Sequence, residues 1–305
     1  LNRHNSRISL GYCTAHIVIV VKPHYRIYGI TITYQARLSM KNLDMSLYND
    51  ILPVEKLNRL AEEEHDNYRD AQPHAHGIFD DVFNPSILKN ILQEFDTEEE
   101  WKNFDTKYEK KSQLNRDDCL GPNTRAFIHS LNSGTFITFL EKLTGIKRLV
   151  ADPYLAGGGL HKILPGGKLG IHTDFNRNEI INLHRRINVL VYLNEDWEES
   201  FGGHFELWSE PTGAQKTKIL PIFNRMTIFN TTGNSFHGHP EPLTCPPERA
   251  RKSLALYYYT AEKDELQSKN DHGTVFIDEK GRRDEIGKAT LLTTIKRKLS
   301  SLMKG

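Results

Sequence analysis

His172 and Asp174, separated by Thr173, are followed far downstream by His237 in Ser235-Phe236-His237-Gly238 and by Arg251 in Arg251-Lys252-Ser253-Leu254. Two imidazoles and one carboxylate can occupy one face of an octahedral iron and leave the opposite face for a chelating cosubstrate and O2. Residues two apart on a β-strand project to the same side, so His172 and Asp174 can converge on one ion while Thr173 turns away; a helix would splay them. His-X-Asp alone is a weak signal, because a surface histidine near an aspartate is usually just solvated. The distant histidine and arginine give it weight.

Arg251 opens a run in which Arg251, Ser253, Ala255 and Tyr257 share one side, and Lys252, Leu254, Leu256 and Tyr258 the other. A guanidinium at the bottom of a pocket pairs bidentately with the far carboxyl of a dicarboxylate, and the Ser253 hydroxyl adds a donor. Strand parity permits Arg251 or Lys252 as that anchor, but not both. In Arg185 to Leu193 the side bearing Asn188, Leu190 and Tyr192 places two polar groups among apolar ones. They fit a hydrogen-bonded core or the lining of the same pocket. His239 lies two positions beyond His237 and is a rival ligand, because on a strand both face the same side.

The elements that must position these residues change character along the chain. Val54, Leu57, Leu60 and Ala61 give a charged helix from Pro53 to Arg69 one apolar stripe. Ile78 to Phe83 reads as a short strand. Asn84-Pro85-Ser86 starts a helix carrying Ile87, Ile91, Leu92 and Phe95, and Phe136, Phe139, Leu140 and Leu143 mark another, ended by Gly145. Thr97 to Asn123 is polar and reads as a helix fragment followed by a mobile loop. From Val150 onward short β runs with Gly and Pro breaks take over: 151–156, 160–164, 168–172, 185–193, 203–208, 216–220, 225–230 and 252–260. That density of strands predicts a sandwich or jelly roll rather than an alternating βαβ sheet. Ile286 to Met303 closes with a basic helical segment, expected to pack on the domain or on a second subunit.

The chain has 305 residues, of which 38% are hydrophobic, enough to bury one sizeable core with extensions. Its net charge of +1 provides no long-range attraction for nucleic acid or an anionic membrane, and neither is expected as a partner. Cys13, Cys119 and Cys245 are odd in number and widely separated, which suits a reducing compartment, so a cytoplasmic location is expected. Ile17 to Val21 is far shorter than the ~20 apolar residues of a spanning helix, and no signal peptide is read.

From Tyr154 to Thr260 the motifs resemble, in order, those of the iron(II)- and 2-oxoglutarate-dependent dioxygenases, in the prolyl 4-hydroxylase-like branch. The resemblance rests on Leu169-Gly170-Ile171-His172-Thr173-Asp174, on Val191-Tyr192-Leu193-Asn194-Glu195-Asp196-Trp197 followed by Gly202-Gly203, and on Phe236-His237-Gly238 and Arg251-Lys252-Ser253. It implies an α+β protein with a mainly β core: a double-stranded β-helix with N-terminal supporting helices and a C-terminal helix. It also implies His172, Asp174 and His237 as iron ligands, Arg251 as the 2-oxoglutarate anchor with Ser253 beside it, and Tyr192 as a further cosubstrate contact. Fe(II), 2-oxoglutarate and O2 are the expected reactants, with ascorbate keeping the iron reduced. The segment from His237 to Arg251 carries Pro240, Pro242, Pro246 and Pro247 and is longer than in some relatives.

Four regions follow: 1–45, an accessory or non-native extension; 46–149, a helical support; 150–262, the double-stranded β-helix dioxygenase domain; and 263–305, a C-terminal extension with a helix. The expected reaction is hydroxylation of an unactivated C–H, first of a prolyl residue in a peptide or protein, with release of succinate and CO2. A free amino acid or other small metabolite is the alternative substrate. Asn103 to Asn123, Arg177 to His184 and Trp197 to Ser200 are candidate rim positions. A jelly-roll protein that binds a metal without turnover is the competing class, against which the intact ligand set and its arginine argue. Oligomeric state is not legible in the sequence.

Overall fold

The computed structural model describes residues 50–97, 100–263, 265, 271–278 and 280–285. By contacts the chain divides into two units, Leu1–Ile51 and Leu52–Gly305, and the helices and strands below belong to the second. The expected accessory segment 1–45 and the expected helix of residues 286–303 lie outside the described residues.

Four helices precede most of the strands. α1 (Val54–Asp70) buries Leu57, Ala61 and Tyr68 and packs on α4 (Gly134–Thr144), whose buried face is the predicted one, Phe136, Phe139, Leu140 and Leu143. The Asn84 side chain accepts from the Ser86 N–H at 3.0 Å and starts α2 (Pro85–Phe95) where the sequence expects it. The buried row of α2 is Leu88, Ile91 and Phe95, with Ile87 and Leu92 only half-buried at its margins. α3 (Pro122–Leu131) was not expected. Its N-terminus is held by the Glu94 carboxylate, which accepts from the backbone N–H groups of Asn123 and Thr124, both at 2.8 Å.

The strands form one curled antiparallel sheet, a double-stranded β-helix. One wall runs β1 (His76–Asp80), β11 (Arg225–Asn230), β8 (Leu183–Tyr192), β13 (Arg251–Thr260) and β5 (Gly159–Ile163). The other runs β6 (Lys168–Thr173), β12 (Phe236–His239), β9 (Phe205–Trp208) and β10 (Lys216–Ile219). β3 (Glu109–Leu114) joins them, pairing through Ser112–Leu114 with β5 and through Glu109 and Lys110 with β6. Short strands complete the edges: β2 (Lys102–Asp105) on β3, β4 (Val150–Ala151) on β13, β7 (Arg177–Asn178) on β8, and β14 (Val275–Ile277) on both β6 and β15 (Arg283–Glu285). Among the described residues no helix is long and apolar enough to cross a membrane.

Two local expectations are corrected. Thr97 to Asn123 is not a helix fragment and loop: it contains the hairpin β2–β3 and a single 3-10 turn, Asp117–Cys119. Polarity concealed β3, because polar Glu109, Lys111 and Gln113 are the side chains that face the cavity and no apolar alternation results. The expected strand 151–156 stops at Ala151, and a turn follows in which the Asp152 carboxylate accepts from the N–H groups of Tyr154 and Ala156 at 2.9 and 2.8 Å.

Candidate active site

Antiparallel pairing of β6 with β12 sets His172 directly opposite His237, with ring centroids 4.4 Å apart. Asp174 follows the end of β6, its Oδ1 3.6 Å from His172 Nε2 and its Oδ2 3.2 Å from His237 Nε2. One ligand-type atom from each of the three residues lies within 4.8 Å of the others, and all three residues are buried. Gly238 is needed where the strands meet: a Cβ there would sit 2.7 Å from the Gly170 carbonyl oxygen.

The imidazoles are oriented from behind. His172 Nδ1 donates to the Gly170 carbonyl at 2.8 Å and His237 Nδ1 to the Ser235 carbonyl at 2.9 Å, which leaves each Nε2 as the lone-pair nitrogen facing the cluster. Burial, then the neighbouring His237, lowers the pKa of His172 and favours the neutral form a metal ligand requires. Burial alone would push Asp174 up, but Arg185 and the two imidazoles together hold it well below the usual carboxylate range. Two imidazole nitrogens and one carboxylate so placed fit an octahedral ferrous ion bound on one face.

Asp174 has a dedicated support. Arg185, 1% exposed, places a terminal guanidinium nitrogen 2.9 Å from Asp174 Oδ2, and Asn188 Nδ2 donates to the same oxygen at 2.8 Å. Arg185 Nε donates in turn to Asn188 Oδ1 at 2.8 Å. The guanidinium carbon lies 3.4 Å from the Tyr257 ring centre and 4.6 Å from that of Phe175. Of these groups the sequence offered Asn188 as a pocket position and set Tyr257 on the side of Arg251, but singled out neither Arg185 nor Phe175. Strict alternation sets Arg185 on the opposite face from Asn188, but the pairing of β8 with β13 skips a residue, Tyr258 facing Ile187 and Tyr259 facing Arg185. This bulge returns Arg185 to the inner face.

The cluster opens into a cavity of about 380 Å³ lined by Arg251, Ser253, Ala255 and Tyr257 of β13, one of the two alternatives that parity left open. Lys252 points the other way, its Nζ 3.0 Å from Asp96 Oδ1. Arg251 is 4% exposed, and its Nε donates to the Gly203 carbonyl at 2.9 Å. Gly203, at φ 70°, allows this approach, since a Cβ there would lie 3.0 Å from Arg251 Cδ. Tyr192 belongs to a buried apolar group with Phe205, Leu207, Ile219 and Phe229, and its ring centre is 5.1 Å from the Arg251 guanidinium. Burial pushes its hydroxyl up to about 12, against the pull of Arg251. His239 is buried and lines the cavity, outside the three-residue cluster.

Of the expected rim segments, Phe104, Glu109, Lys111, Gln113 and Asn115 line the cavity. Arg177 and Glu179 border a separate hollow, and Trp197 packs with Ile163, Leu243 and Cys245.

Residues 158–259 match the family model described as the 2OG-Fe(II) oxygenase superfamily. The match spans β5 through most of β13 and includes the whole ligand-type cluster, Arg185 and Arg251. The double-stranded β-helix is thus a 2OG-Fe(II) oxygenase domain. For a domain of this kind the family implies Fe(II), 2-oxoglutarate and O2.

Among solved structures, the chain is similar to a prolyl hydroxylase from Trichoplax adhaerens in complex with a hypoxia inducible factor peptide fragment (20% identity, 68% of this chain and 92% of that one, TM-score 0.49). It is similar also to a Pseudomonas putida prolyl-4-hydroxylase (14% identity, 66% and 100% covered, TM-score 0.49). A third is HygX from Streptomyces hygroscopicus with nickel, 2-oxoglutarate and hygromycin B bound (12% identity, 65% and 93% covered, TM-score 0.44). No curated protein matches the chain.

Proposed function

We propose that this protein is a 2-oxoglutarate-dependent dioxygenase that hydroxylates an unactivated C–H bond of a prolyl residue in a peptide or protein, releasing succinate and CO2. The observation that carries the reading is the convergence of His172, Asp174 and His237, whose ligand-type atoms lie within 4.8 Å of one another in the lining of a cavity that Arg251 also lines. In this reading those three residues hold Fe(II), and the cavity between them and Arg251 holds 2-oxoglutarate. Bound Fe(II) and 2-oxoglutarate supply the O2-activating redox chemistry that protein side chains lack.

The chain's own residues do the rest. The Gly170 and Ser235 carbonyls hold the Nδ1 side of the two histidines, so that each ring turns Nε2 toward the cluster. Arg185 and Asn188 hold Asp174 ionised and in one orientation. Arg251 pairs with the far carboxylate of the cosubstrate, Ser253 adds a hydroxyl donor, and Tyr192 backs the guanidinium. Phe205, Phe229 and Phe276 line the cavity with apolar surface that excludes water from the reacting groups. Substrate lies over the mouth, against the β2–β3 hairpin that contributes Lys102, Phe104 and Lys111.

The prolyl assignment rests on the ordered motifs from Tyr154 to Thr260. A free amino acid or other small metabolite is the alternative, for which a 380 Å³ cavity has room. Ascorbate maintains the ferrous state, and the free thiols of Cys119 and Cys245 favour the cytoplasm.

The test is succinate release with panels of proline-containing peptides and free amino acids. Stimulation by free amino acids alone would refute the peptide assignment. Anaerobic addition of Fe(II) and 2-oxoglutarate should give a weak visible charge-transfer band, and its absence from folded protein would favour a metal-binding protein without turnover.

A further inference from the structure

The charged side chains that line the cavity are Lys102, Lys111, Arg185 and Arg251 against Glu109 and Asp174. Cations thus outnumber carboxylates by two in this one wall, although the whole chain carries only +1. Fe(II) and the 2-oxoglutarate dianion bring equal and opposite charge, so the excess persists when both are bound.

Most of these charges are already matched. Lys111 Nζ lies 3.1 Å from a Glu109 carboxylate oxygen, with only 12% and 14% of the two side chains exposed, and Arg185 meets Asp174 at 2.9 Å. Arg251 is buried and, in the reading above, faces the cosubstrate. Lys102 is left over. It is exposed, has no ion-pair partner among the described residues, and holds its ammonium over the Phe104 ring, 4.8 Å from the centre.

Cross-strand register decides where that charge sits. Ser253 of β13, His161 of β5, Gln113 of β3 and Lys102 of β2 are successive neighbours that all line the cavity. Among the described residues β2 pairs with β3 alone, so Lys102 ends the row at the exposed edge. Gln113, directly opposite it, is buried and donates to the Gly158 carbonyl at 2.7 Å. An ammonium at the lip of the cavity, resting on an aromatic ring, receives a carboxylate without first breaking a pair.

We propose that Lys102 determines substrate specificity: it recognises a glutamate or aspartate side chain close to the prolyl target, so that the site takes an acidic peptide segment. This rests on the peptide reading above and adds the charge of the substrate to it. One free ammonium suits one carboxylate. A nucleic-acid backbone would need a run of free cations along the mouth, and the other lining cations are paired or buried.

The test is succinate release by the Fe(II)-loaded full chain on matched proline-containing peptides with glutamate, glutamine or lysine at each flanking position in turn. At the best position glutamate should raise kcat/KM about fivefold over glutamine at low ionic strength, the upper range for a solvent-exposed ion pair, and lysine should lower it by a similar factor. High salt should shrink the preference. Lys102→Arg should keep it, Lys102→Gln should remove it, and Lys102→Glu should reverse it in favour of lysine. Fluorescence anisotropy of the labelled peptides on anaerobic, Mn(II)-loaded protein should give the same order of Kd. Equal kcat/KM and Kd for the three kinds of prolyl peptide, or a glutamate preference that survives Lys102→Glu, overturns this inference and leaves the prolyl reading standing. Stimulation by free amino acids alone overturns both.

Discussion

Replacing Arg185 with methionine removes the positive partner of a largely buried carboxylate. Arg185 is 1% exposed on its side chain and Asp174 9%, and the pair meets at 2.9 Å. Breaking a buried pair on one side costs about 3–5 kcal/mol, because the remaining charge is left uncompensated. Methionine packs well between the Phe175 and Tyr257 rings, and Asn188 still donates to Asp174 Oδ2, so the lower end, about 3 kcal/mol, is expected. At about 2–4 °C per kcal/mol for a domain of this size, metal-free protein should melt about 6–12 °C lower by differential scanning fluorimetry at pH 7.

The pH dependence gives this prediction a second check. Asp174 is held well below its ordinary value, so its stabilisation is present above the unfolded pKa of about 3.9 and is lost as pH falls through the folded one. Without Arg185 the folded pKa rises, and the carboxyl protonates earlier. The gap between wild type and variant should therefore shrink as pH falls from 7 toward about 4. Added Mn(II) should narrow it too, since the ion restores a positive charge at Asp174. A metal-free variant that melts with the wild type at pH 7, or a gap that ignores pH, would refute the reasoning.

His172→Ala and Asp174→Ala should each abolish turnover by weakening Fe(II) binding, followed by metal titration alongside succinate release; metal affinity equal to wild type would remove that residue from the ligand set. Arg251→Ala should raise the 2-oxoglutarate concentration needed for turnover while metal affinity holds, and an unchanged requirement would count against the anchor. Glu94→Gln should destabilise the protein by about 1 kcal/mol at pH 7, measured by urea unfolding, because it loses a charged acceptor at the start of α3. Burial raises the Glu94 pKa, but the hydrogen bonds from Thr124 and Asn123 outweigh it and leave the carboxyl below its ordinary value. Its contribution is thus present above the ordinary carboxylate range and lost as pH falls through the folded pKa, so the penalty should disappear in acid.

Local periodicity and turn chemistry made much of this protein legible. Asn84 before Pro85 and Gly145 after Thr144 mark helix ends, and the β runs after Val150 match observed strands to within two residues at either end except at 151–156. Residue type and period-2 parity nominated His172, Asp174, His237 and Arg251 but left His239 and Lys252 open, and it was the motif context that favoured His237 and Arg251.

What the sequence could not contain is phase that depends on a partner strand. The bulge opposite Tyr258 and Tyr259 turns Arg185 inward onto Asp174, and nothing in Arg185-Arg186 distinguishes it from two solvated charges until β13 is in place. The row Ser253, His161 and Gln113 exists only as cross-strand register among three segments distant in the chain, one of them read as a loop. The choice of Arg251 over Lys252 for the cavity, and of His237 over His239 for the cluster, was likewise decided by tertiary packing, because alternation assigns sides but not which side becomes the inside.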